Sequence, residues 1–108
     1  MQYYLVVRWG SPDEADRYDG RDTIFLVAAS NRLAADKLVQ SYLIKYEVDK
    51  DFNKLPNVIV ELGKIEITFK KAFIVQGPYL DHFGLNVKEY SYFVRDYMHK
   101  NWHRIKPV

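Results

Sequence analysis

The chain has 108 residues, a formal net charge of +2 and no cysteine. That length is enough for one hydrophobic core, hiding roughly 60–70% of the unfolded surface without staples. The missing cysteines exclude disulfides and thiolate chemistry and fit a reducing compartment, and so small a charge does not by itself imply a polyanionic partner.

In chain order, Gln2 to Trp9 reads as a strand rich in Tyr and Val, stopped by Gly10-Ser11-Pro12. Its alternate residues are Tyr3, Leu5, Val7, Trp9 and Tyr4, Val6, Arg8, so both faces are largely apolar. A polar loop follows from Asp13 to Asp22, with five acids against two arginines and a net of −3. Thr23 to Ala29 is a second strand, again apolar on both sides. Ser30 is placed to cap a helix running to about Glu47. Ala35, Leu38, Val39, Tyr42, Leu43 and Tyr46 form its apolar stripe; Arg32, Asp36, Lys37, Gln40 and Lys45 fall on the wet side.

Asp49 to Asn57 is a polar connection, and Asn57 to Phe69 reads as a central hairpin. Gly63-Lys64 would form its two-residue turn, with Gly where φ must be positive. Folding there sets Leu62 opposite Ile65, Val60 opposite Ile67 and Val58 opposite Phe69, all on one apolar face. Glu61 and Glu66 would meet on the polar face. Phe73-Ile74-Val75 continues the second strand and Gly77-Pro78 makes a turn. A last helix is expected from Asn86, with Glu89 completing a capping box and Tyr90, Phe93, Val94, Tyr97 and Met98 as its buried stripe.

The order strand, strand, helix, strand, strand, helix predicts an α+β fold over a single domain, residues 1–108. The expected architecture is a two-layer ββαββα sandwich, with a mainly antiparallel four-stranded sheet and both helices on one face. That arrangement leaves the first two strands with apolar side chains their own helices do not cover. Exposed apolar area of that kind marks a contact site unless loops cover it.

Chemistry-bearing groupings are sparse. His99 and His103 lie four apart, with Asp96 preceding, which is zinc-like spacing on a helix. The Glu of the metalloprotease motif is missing, and Lys100 adds a cation, so no metal is expected. The acidic loop fails as an EF-hand: with Gly20 as the loop glycine, Ala15 and Arg17 take two ligand places. No Gly-x-Ser-x-Gly elbow or phosphate-cradling loop is present. The loop from Gly77 to Gly84, with Tyr79, Asp81, His82 and Phe83, is the best place for a small-molecule site, though one His beside one Asp makes no active site.

The expectation is therefore a non-enzymatic module without cofactor that acts by protein–protein contact, as an inhibitor, immunity or adaptor protein, or by self-association. Nine Tyr, six Phe and two Trp supply interface-type anchors, of which Tyr4, Trp9, Tyr92 and Trp102 are the candidates. The alternative is a nucleic-acid-binding last helix, with Arg95, Lys100, Arg104 and Lys106 on phosphates and Trp102 stacking. Without an apolar run long enough to span a bilayer or a basic, apolar leader, no membrane partner is expected and a cytoplasmic location is the default.

Overall fold

The computed structural model describes residues 1–9, 23–46, 54–64, 71–80, 89–96 and 101–107, with backbone alone for 78–80. Its elements are β1 (Gln2–Arg8), β2 (Thr23–Ala29), α1 (Arg32–Tyr46), β3 (Val58–Lys64), β4 (Phe73–Leu80), β5 (Tyr92–Arg95) and β6 (Trp102–Ile105). The strands form one six-stranded sheet in the order β4-β2-β1-β3-β5-β6, and every neighbouring pair is antiparallel. Among the described residues α1 is the single helix, so the expected four-stranded sheet with two helices is corrected.

The correction lies in the carboxyl-terminal third. Where a helix was expected, Tyr92–Arg95 and Trp102–Ile105 are paired strands, with Tyr92 opposite Ile105 and Arg95 opposite Trp102. Tyr, Phe and Val are strong strand formers, and a second strand rewarded extended backbone over the three- and four-residue spacing. Asn86, Tyr97 and Met98 lie outside the described residues.

The central hairpin is also replaced. Val60 has Leu5 of β1 on one side and Tyr92 of β5 on the other, and Val58 has Val7 and Val94. Both edges of β3 are thus taken, so Val60–Ile67 and Val58–Phe69 are not the pairs formed. Apolar β3 residues fit any apolar neighbour, and β1 and β5 take the two sides. Ile65 to Phe69 lie outside the described residues. Gly63 does have the positive φ expected of it, 130°. Gly77 and Pro78 lie within β4 and make no turn there. Gly77 has φ 124°, and an added Cβ would come within 2.9 Å of the Ile24 carbonyl oxygen. Two register shifts between β2 and β4 mark the irregularity that this close approach accompanies.

The cap of α1 lies one residue later than expected. Asn31, not Ser30, caps it: Ala34 N–H donates to Asn31 Oδ1 at 2.8 Å. Ala35, Val39 and Leu43 are fully buried against Tyr4, Val6, Phe25, Val27, Ala29 and Ile59. Removing each such side chain from water stabilises the fold by roughly 1.5–3 kcal/mol for the larger aliphatics. Leu38 and Tyr42 flank this core, and Tyr42 meets the Phe25 ring edge-on at 5.3 Å. Tyr46, placed in the stripe by its spacing, is exposed.

The opposite face has no described helix on it. Leu26, Leu5, Val60, Tyr92 and Ile105 are successive cross-strand partners along one row, and Ile24, Val7, Val58, Val94 and His103 along the next. Leu5, Ile24 and Val60 are buried, with Tyr90 packed against them. The chain itself therefore covers the middle of the face that the sequence left open.

Candidate functional site

The most elaborate polar arrangement lies on the helix side of β5 and β6. Strand alternation puts Phe93 and Arg95 of β5 on that face beside Trp102 and Arg104 of β6. From above, the first turns of α1 bring Arg32 and Asp36, which the i, i+4 spacing places one above the other. They do not pair with each other. Arg95 Nη2 donates to both oxygens of Asp36 at 2.8 Å, and both side chains are buried. Arg95 Nε donates to the Pro56 carbonyl at 2.8 Å, and its backbone N–H to the Asn57 carbonyl at 2.9 Å.

Asn57 extends the tie to β1. Its N–H donates to the Val7 carbonyl, and its Oδ1 accepts from the Trp9 N–H, both at 2.7 Å. Pro56 and Asn57, at the end of the polar connection, thus form a buried junction between β1 and β5. This satisfies the buried guanidinium and carboxylate, without which their burial would cost several kcal/mol.

Aromatic rings separate the three arginines. Arg95 lies 4.4 Å and Arg32 5.0 Å from the Trp102 ring centroid. Arg32 also lies 5.2 Å from the Phe93 centroid, and Arg104 5.6 Å from it. Arg104 reaches Glu61 Oε2 at 3.3 Å, an exposed contact of little energetic weight. Tyr4, buried next to this group, has its hydroxyl pushed above the usual tyrosine pKa of 10.0 by burial and then by the Glu61 charge, with Arg32 pulling the other way. Chemically this is a cation-rich wall, in which three guanidiniums meet two aromatic rings and two carboxylates.

The sequence candidates scatter over this geometry. Tyr4 is 2% exposed and lies in the core under α1, where it offers no surface. Trp9 is 40% exposed just past β1, and Tyr92 is half-buried on the helix-free face. Trp102 is half-buried beneath its arginines. Of the nucleic-acid set, Arg95 is buried on Asp36, whereas Arg104 and Lys106 are exposed and on or beyond a strand. Lys100 and His99 lie outside the described residues. His103 Nε2 is 3.6 Å from Asp96 Oδ2, across the β5–β6 pair and not along a helix. Among the described residues no three His, Asp or Glu side chains are grouped to hold a metal. Glu66 and residues 81–84 of the expected small-molecule loop are likewise outside them.

Arg32, Asp36 and Glu61 are what sequence reasoning missed. The helical wheel put Arg32 and Asp36 on the wet side, and a wheel cannot see a sheet that extends two strands beyond the core it serves. Compared with protein-family models, with curated proteins and with solved structures, the chain matches none.

Proposed function

We propose that the protein is a non-enzymatic binding module acting by protein–protein contact through the rim of its helix-free sheet face. One observation carries this reading. The centre of that face is buried, yet large apolar side chains stand exposed around it: Ile105 on β6, Phe73 and Val75 on β4, and Trp9 at the end of β1. Phe73 shares the face of its partner Ala28, and alternation carries Trp9 to the side of Leu5 and Val7. Apolar groups bordered by charged ones are the usual make-up of a contact surface. Among the described residues a nucleic-acid reading is left with Arg104 and Lys106 as its cations, because Arg95 is held by Asp36.

The test compares wild type with Trp9→Ala and Phe73→Ala as baits, each checked for an unchanged melting temperature. A partner, or a second copy by light scattering, that is held by wild type and lost by both variants supports the reading. A protein that stays monomeric and whose captured proteins are the same for all three baits overturns it.

A further inference from the structure

Three guanidiniums and two carboxylates meet on the helix side of β5 and β6, so this cluster is one acid short. Asp36 gives both oxygens to Arg95, and Glu61 gives one to Arg104. Arg32 meets no acid among the described residues; the Phe93 and Trp102 rings are its neighbours. Its position is unfavourable twice over. It is the first residue of α1, whose first turn carries no acid, and a cation there opposes the positive end of the helix dipole. Its Nη1 is also enclosed without an acceptor. Stacking on two rings restrains the guanidinium plane, and a restrained fork suits a carboxylate better than a freely rotating one.

β6 supplies the rest. It is the last strand of the sheet, with no strand beyond it among the described residues. Its exposed residues alternate: His103 and Ile105 toward the helix-free face, Arg104 and then Lys106 toward the other. We infer that β6 is a docking edge for an extended segment of a protein partner that alternates acidic and apolar residues. This rests on the protein-contact reading above and names the partner's chemistry. Residues opposite each other on paired strands stand about 5 Å apart. An acid set beside Arg104 completes the cluster around Phe93, while the next residue lies beside Ile105. Main-chain hydrogen bonds hold such a segment, and the alternating side chains select it. A second copy of β6 is the wrong occupant, since it would bring the Arg104 and Lys106 cations against like charges.

The probe is a short peptide alternating Glu and Val, compared with its Gln-for-Glu counterpart, on the full chain. The acidic peptide is expected to bind saturably and to slow amide exchange at Trp102–Ile105. Its affinity falls as added salt shortens the Debye length from ~30 Å to ~3 Å. Arg104→Glu weakens it by about tenfold or more, and Arg104→Lys keeps most of it. Arg32→Gln weakens it too, without lowering the melting temperature. No saturable binding, equal binding of the Gln peptide, protection on another strand, dimerisation through β6 or preference for an RNA oligomer of equal charge overturns the inference. If the peptide fails while Trp9→Ala and Phe73→Ala still lose a partner, this inference alone falls; if those variants lose nothing, the protein-contact reading falls with it.

Discussion

The two ends of the sheet under α1 are held by different forces. Toward β2, Phe25, Val27 and Ala29 meet Ala35, Val39 and Leu43 in one hydrophobic cluster. Toward β6, the same face offers Phe93, Arg95, Trp102 and Arg104 to Arg32 and Asp36. The apolar end is nondirectional: its energy follows buried area and tolerates swaps that conserve volume. The charged end is directional, because the Arg95 fork fits one placement of Asp36 and of the Pro56 carbonyl. The first end supplies stability. The second fixes where the outer strand pair sits relative to the helix, and does so at little net gain, since a buried ion pair roughly offsets its own desolvation.

The largest effect expected from breaking this contrast is at Asp36. Asp36→Ala leaves Arg95 buried and uncompensated, which costs about 3–5 kcal/mol. Adding Arg95→Met to Asp36→Leu should recover most of that loss in the urea midpoint, because the apolar pair needs no desolvation. The recovered double variant should nevertheless show broadened or shifted amide resonances in β5 and β6 while β1 and β2 are unchanged. A double variant no more stable than Asp36→Ala would show that the ion pair is a net source of stability.

A smaller effect separates two glycines that share a backbone conformation. Gly77 and Gly63 both have φ well into the positive region, at 124° and 130°. At Gly77 a Cβ would meet β2 backbone at 2.9 Å, whereas at Gly63 it would meet nothing within 4 Å. Gly77→Ala is therefore expected to cost about 2–3 kcal/mol and Gly63→Ala about 1–2, the difference being the close approach of β4 to β2. Equal costs in thermal melts would mean that β4 shifts freely and that the apolar end is looser than its burial implies.

The same division runs through what the sequence discloses. β1, β2 and α1 are legible because their patterns are strong and their contacts are with one another: Tyr4, Val6, Phe25, Val27, Val39 and Leu43 all meet in one cluster. Both faces of β1 and β2 read as apolar, and the sheet does have hydrophobic clusters on both. Past Asn57 the local rules lose. Val58 and Val60 pair with strands far away in sequence, and Phe93 and Val94 fit both a helical spacing from Tyr90 and a strand composition with Tyr92. Arg95 and Trp102 look like loose basic and aromatic residues until a buried acid from α1 is set against them. Nothing local to Asp36 announces that partner, 59 residues away.

Tyr4 stands where the two ends meet, and it gives the finest measure of their difference. Its ring belongs to the apolar core, while its hydroxyl feels Glu61 and Arg32. Burial first and the Glu61 charge second raise its pKa above 10.0, so the unfolded chain gives up this proton before the folded one does. The sign follows directly: the contribution is complete below pH 10.0 and is lost as pH climbs toward the folded pKa. Tyr4→Phe should therefore remove part of the alkaline fall in the urea midpoint, the other tyrosines supplying the remainder. Charge variants then divide the causes. Glu61→Gln should bring the Tyr4 pKa down toward its ordinary value, read by ultraviolet titration of the phenolate. Arg32→Gln should move it further up, because the cation that opposes the rise is gone. If Arg32→Gln leaves the titration where it was, the Arg32 guanidinium is screened from Tyr4 by water, and the charged end stops short of the core.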